Sequence, residues 1–355
     1  MAHIDLSNVT KPNGAAKFDS IVYQNWFVKT PLNRVFTIME RQKDGAAVVG
    51  VNPFRLLGKA SQGCDPEYES SALNAEEKKW NIKEWEIAQK FCYEDIDDTI
   101  LEEVMNTGID AANVIDTRYY RELLEPAILD GIDDMLFRLA FFGNENITSA
   151  ELQNAGDVPY FDLIDGVWKQ IFDAVAAKTI TRYEIAANKQ TTSAAQLSAF
   201  EPGSGEAVKL MRNIQTSAPI ELRQAKDKVM YISQSLYDAY VADKQEKYIG
   251  SEGQWESLDN GMMVGKINGI ETVVLPEWDR IIQTFLKNTE NANAYDHPHR
   301  AILTIKGNLL LGTESDGDFK ALKGGFNDEK QYNWVFGKNT LGAMPRFDSL
   351  THVAF

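Results

Sequence analysis

Four histidines serve 355 residues, and two of them, His297 and His299, fall beside Asp296 in the stretch AYDHPHRAIL. Imidazole and carboxylate donors are the ligand types that zinc takes, and such a centre would suit a metal-dependent hydrolase. Imidazoles at i and i+2 face one side only on extended backbone, which the intervening Pro298 favours. A working centre also needs a third or fourth donor with supporting hydrogen bonds, and no such donor stands at a recognisable spacing. Asn291, Asn293 and Pro298 are turn formers and an apolar run opens at Ala301, so the competing reading is a polar turn leading into a strand.

Other chemical candidates are weaker. The acidic run YEDIDDTILEE (93–103) lacks the alternating oxygen donors and the glycine of a calcium loop, whereas Asp95 or Asp98 would cap a helix. In TESDGDFK (313–320) no glutamate falls where a calcium loop would close, and Asp316-Gly317 signals a turn. EPGSGEAVK (201–209) lacks the spacing of a phosphate-binding loop, and neither Ser204 nor Ser251 sits in a nucleophile elbow. No catalytic residue, cofactor or metal ligand is therefore assigned, and the expectation is a protein that is not an enzyme.

Composition narrows the partners. Forty-four per cent hydrophobic residues and 10% aromatics suffice for a packed core. The 52 acidic against 36 basic residues, a formal charge of −16, argue against a DNA reader, because such affinity comes largely from neutralising phosphates. Cys64 and Cys92 form no metal-ligand spacing and read as free thiols of a reducing cytoplasm. No apolar run approaches the ~18 residues of a membrane span, and MAHIDLSNVTKPNG lacks the pattern of a secretion signal.

Any chemistry or contact must be positioned by a mixture of strands and helices. Val35–Ile38 and Ala46–Val51 read as strands, and Trp85, Ile87, Phe91 and Tyr93 share one parity of a further strand. The polar segment 58–77 between them suggests an extended two-stranded excursion, which needs a partner surface because isolated hairpins are marginal in water. Residues 117–143 carry the row Tyr120, Leu124, Ile128, Ile132, Leu136 and Ala140, a long helix kinked or restarted at Pro126 and stopped at Gly143. A second helix is expected at 162–177 with Asp162 as its cap, and two more at 206–217 and 234–247. Strands are expected at 229–232, on both sides of Asn268-Gly269, and at 301–305, 309–311, 332–336 and 349–355. Without a strict βαβ rhythm, the class is α+β.

In that order and spacing the parts resemble the major capsid proteins of tailed bacteriophages, with the HK97-like shell fold, and especially those of phages of Bacteroidetes-type hosts. The resemblance rests on KKWNIKEWEIAQKFCYEDIDDTILEEVMNTG (78–108), RELLEPAILDGIDDMLFRLAFFGNE (121–145), PYFDLIDGVWKQIFDAV (159–175) and HRAILTIKGNLLLGTES (299–315). It implies an N-terminal arm (1–34), an extended β-hairpin loop (35–92), and a peripheral domain (93–160 and 326–355) with a long spine helix at about 117–143. It also implies an axial domain (161–325). The implied function is self-assembly, as hexamers and pentamers, into an icosahedral shell enclosing double-stranded DNA without gripping it. Scaffold, portal and accessory proteins are the implied partners, and the virion capsid the location after synthesis in a bacterial cytoplasm. Trp26, Phe27, Trp80 and Trp85, on the arm and loop, are the expected inter-subunit contacts. Lys338-Asn339 offers the residue types of a capsid cross-link, but nothing pairs them. The alternatives are an encapsulin-like nanocompartment shell and a cytosolic metal-dependent hydrolase.

Overall fold

The structure, a computed structural model, describes residues 29–51, 75–92, 120–247, 255–257, 262–315, 321–327, 329–330 and 332–355. Its strands are β1 (Thr37–Met39), β2 (Ala47–Val51), β3 (Ala75–Lys79), β4 (Lys83–Cys92), β5 (Thr181–Tyr183), β6 (Lys228–Ser233) and β7 (Trp255–Ser257). They continue as β8 (Met263–Ile267), β9 (Ile270–Leu275), β10 (Ala301–Ile305), β11 (Leu309–Gly312), β12 (Leu322–Asn327), β13 (Tyr332–Pro345) and β14 (His352–Ala354).

A seven-stranded mixed sheet, ordered β5-β14-β10-β6-β9-β8-β7, lies at the centre. Its middle strands are apolar on both faces, which demands cover on both. Val229 and Tyr231 of β6 enter one core, and Met230 and Ile232 enter the other. The first core is closed by helices Glu125–Phe142, Val167–Ala176 and Pro276–Thr284. The second is closed by helices Glu206–Ser217, Ile220–Gln224 and Gln234–Lys247. Asn268 and Gly269 join β8 to β9 with φ of 51° and 80°, the left-handed pair that a two-residue hairpin turn requires.

A smaller sheet runs β1-β11-β13-β12, and β4 also pairs with β13. Along β4 the exposure alternates, Trp85 buried and Glu84 and Glu86 exposed, as the period of two predicts. Its partner was not legible locally. Residues 83–92 lie antiparallel to 332–341, while β2 pairs with β3 in a separate ribbon. The excursion thus returns in two pieces, broken at Trp80-Asn81-Ile82.

The long helix restarts where proline requires it. A π-helical turn at Tyr120–Leu124 leads into the α-helix Glu125–Phe142, with Pro126 in the first turn, where its missing N–H costs nothing. Within the predicted row, Leu124, Ile132, Leu136 and Ala140 are buried. Two expectations shift. The helix expected at 162–177 starts at Val167 with Gly166 as its cap, and Asp165 rather than Asp162 is engaged, accepting from the Glu145 N–H at 3.0 Å. Pro276 ends β9 but also opens an unanticipated helix. The C-terminal strand β14 joins the seven-stranded sheet beside β10 and β5, whereas β13 lies in the smaller sheet.

Gly143 and Gly166 let two helices meet end to end. The Gly166 N–H donates to the Gly143 carbonyl at 2.8 Å, and a Cβ on Gly166 would lie 2.7 Å from the Leu139 carbonyl oxygen. Gly131, in the same long helix, has open space where a Cβ would stand. Gly166→Ala should therefore destabilise the fold by about 1–3 kcal/mol through backbone displacement. Gly131→Ala should stabilise it by about 0.5–1 kcal/mol through helix propensity. Chemical denaturation of both variants measures the opposite signs.

Candidate functional site

The Asp296–His299 turn stands where the seven-stranded sheet meets helix Val167–Ala176. His297 has a φ of 44°, so the backbone is not extended and the two imidazoles part. His297 stacks near Phe172 and Phe355 on the first core's side, and its Nδ1 lies 2.7 Å from Asp296 Oδ1. His299 turns to the second core's side, edge-on to Phe200. There its Nε2 lies 2.9 Å from the Gln196 carbonyl, which only a protonated nitrogen can satisfy, and its Nδ1 faces Ser235 Oγ at 3.0 Å. Burial lowers the His299 pKa, which favours this neutral form. The shared-face condition for a metal pair thus fails, and among the described residues no three histidine, cysteine or acidic side chains group as ligands.

What the turn does hold is Arg300, 1% exposed. Its Nε donates to the His297 carbonyl at 2.8 Å, and its Nη2 to the Asp296 carbonyl and Oδ2 at 2.9 and 2.7 Å. The guanidinium carbon lies 4.9, 5.2 and 5.4 Å from the ring centres of Trp168, Phe172 and Phe142, an aromatic box closed on the cation. Burial alone would raise the Asp296 pKa; the Arg300 charge and the His297 hydrogen bond prevail and hold it at about 2. A cavity of about 520 Å³ opens beside this group, with Lys169, Asp173, Lys287 and Glu290 of both signs on its wall. The cluster is an ionic keystone between a sheet and a helix, a role that the pairing of histidines concealed.

Two buried carboxylates at the start of helix Pro276–Thr284 join further elements. Glu277 Oε2 accepts from the Thr30 hydroxyl at 3.0 Å and Oε1 from the Thr30 N–H, so the chain leaving the N-terminal segment is fixed to this helix. Lys29 adds an ion pair to Asp130 of the long helix. Asp279 accepts from the N–H groups of Gln234 and Ser235, capping the next helix from outside. Burial pushes the Asp279 carboxyl up to about 7, against the hydrogen bonds from Ser235 and Gln234 that favour its charge.

The expected contact residues divide. Trp26 and Phe27 lie outside the described residues, as do Asp95 and Asp98. Trp80 and Trp85 are 2% and 5% exposed, so their indoles are buried within this chain and expose almost nothing to a neighbour. Trp80 packs with Ile82, Leu310 and Met344, and Trp85 joins the first core. Residues of β11 and β13 of the same chain supply the surface against which Trp80 and Trp85 pack. Lys338 pairs with Glu84 at 2.8 Å, whereas Asn339 accepts from Ser315 Oγ at 2.8 Å, so these two side chains are engaged separately.

No protein-family model and no curated protein matches the chain. Solved structures do match, over nearly its full length. One from Mycobacterium phage Ogopogo has a TM-score of 0.54 at 10% identity, covering 99% of both chains. The capsid structure of cyanophage P-SCSP1u has a TM-score of 0.53 at 14% identity, covering 99% of this chain and 93% of the other. The capsid of an empty GTA particle has a TM-score of 0.51 at 10% identity, covering 99% and 96%. The chain therefore has the α+β fold seen in phage capsid structures.

Two measurements test the electrostatics. Arg300→Met leaves Asp296 without its buried partner and should cost about 3 kcal/mol in urea denaturation, part of it recovered when Asp296→Leu is added. Asp279 has a folded pKa of about 7, above an unfolded value of about 3.9, so the native state holds the extra proton between them. Its contribution is fully present below about pH 4 and is lost as pH rises through about 7, a change of a few kcal/mol. Asp279→Asn should flatten the fall in stability between about pH 5 and 7, read from denaturation midpoints across that range.

Proposed function

We propose that this chain is the major capsid protein of a tailed bacteriophage, a subunit that assembles with its own copies into an icosahedral shell around packaged double-stranded DNA. The observation that supports this best is the match over 99% of this chain to capsid chains of nearly equal extent. The charge of −16 suits a container that encloses a polyanion without gripping it.

In this reading 161–325, which carries six of the seven strands of the large sheet, is the axial domain, and β14 joins that sheet from the peripheral segment 326–355. The long helix is the spine of the peripheral domain, β2–β3 the base of the extended loop, and residues 1–34 the arm. Trp26 and Phe27 bury apolar area on neighbouring copies. Trp80 and Trp85 act from inside, by fixing the root of the loop. Closed symmetry repeats each modest contact over the shell, so hexamers and pentamers form from one chain. Scaffold, portal and accessory proteins complete the particle, and the virion capsid is its location.

Expression of the full chain, followed by size-exclusion chromatography and electron microscopy, should give closed particles of uniform diameter. A monomer under every assembly condition would overturn the reading. Nuclease-protected DNA within particles from infected cells supports a virion shell, whereas a co-purifying enzyme cargo supports a nanocompartment.

A further inference from the structure

The ribbon β2–β3 has two strands, too few to be stable alone in water, and Val48 of its inner face packs against Trp80, Leu310 and Met344. Its outer face exposes Val49, 48% accessible, while its inner face meets the loop 346–348. Phe347 lies so close to Gly50 that a Cβ there would stand 1.8 Å from Phe347 Cε1. The ring occupies the space that any side chain at position 50 would fill. One residue on, the Asp348 carboxylate holds the ribbon and the body at once. Its Oδ1 pairs with Lys78 of β3, and its Oδ2 accepts from Thr179 Oγ1, beyond helix Val167–Ala176, at 2.9 Å.

The loop itself is anchored in the interior. Asn308, 1% exposed, accepts from the Phe347 N–H at 2.8 Å through its Oδ1. Its Nδ2 lies 3.1 Å from the Phe347 carbonyl and 2.9 Å from Thr351 Oγ1, which donates to that carbonyl at 2.8 Å. The Asn308 carbonyl accepts from the Arg346 N–H at 2.7 Å. The backbone at 346–347 is thus tied to the turn between β10 and β11, while the side chains of Phe347 and Asp348 reach out to the ribbon.

We infer that residues 346–348 are a clasp that sets the angle of the β2–β3 ribbon on the body, and through it the contact of the extended loop with a second copy of this chain. The inference rests on the shell-forming reading. Phe347 and Asp348 are positioning residues: they bind the ribbon, and the ribbon meets the neighbour. Gly50 is the complementary element, since only a residue without a side chain admits the ring.

The test compares the full-length chain with Gly50→Ala, Phe347→Ala and Asp348→Asn by hydrogen exchange before assembly and by electron microscopy after it. Ribbon amides should exchange about tenfold faster in Gly50→Ala and Phe347→Ala, and less so in Asp348→Asn, while those of β6, β9 and β10 keep their protection. Particles from the first two variants should be fewer and mixed in diameter. Unchanged ribbon exchange in Gly50→Ala and Asp348→Asn, both small replacements, would overturn the clasp. Faster ribbon exchange with particles of normal yield and diameter would overturn its role in assembly. Failure of the unaltered chain to form particles strikes the shell reading instead, and the exchange data still decide whether the clasp exists.

Discussion

One extended segment, 299–303, must serve two cores at once, and the rest of the molecule is arranged around that demand. Successive side chains of a strand point to opposite faces. His299, Ala301 and Leu303 therefore face the second core's side, and Arg300 and Ile302 the first. A one-residue slip would exchange the cation with the imidazole and leave both without partners. The Arg300–Asp296 pair need not add net stability over an apolar replacement, since desolvation offsets much of its attraction. What it supplies is register: the aromatic box of Trp168, Phe172 and Phe142 accepts a guanidinium at one position along the strand.

Polar groups buried elsewhere follow the same logic. Each fixes one segment against another at a point where apolar packing alone would allow sliding. Glu277 holds Thr30, Asp279 caps helix Gln234–Lys247, and Asp243 accepts from the N–H groups of Gly205 and Ala207 at the start of helix Glu206–Ser217. These three carboxylates are at most 8% exposed, so each would be costly without its hydrogen bonds. Helix termini that would otherwise leave donors unsatisfied are thus completed by other helices. The three layers interlock through side chains that, by type, belong on a surface.

That is also where the sequence was hardest to read. Helices Glu206–Ser217 and Gln234–Lys247 and the hairpin at Asn268-Gly269 were legible because local pattern and turn chemistry define them. Helix Pro276–Thr284 was not, because Pro276 reads equally as the end of a strand, and Glu277 and Asp279 look like solvent-facing residues. Partners distant in sequence were hidden for another reason. The alternation of β4 shows that one face is buried, but nothing in residues 83–92 names 332–341 as the strand beside it. At the candidate metal cluster the residue types were visible and the backbone was not. A left-handed φ at His297 overrides the extended geometry that Pro298 favours and sends the imidazoles apart.

Full-length likeness at 10–14% identity with TM-scores of 0.51 to 0.54 means that the fold is carried by something other than particular residues. Burial pattern, element length and a few close approaches, such as Gly143 against Gly166, can be met by many sequences of the right size and polarity. In this fold the relative placement of the elements is set by buried groups such as Arg300, Asn308 and Asp279.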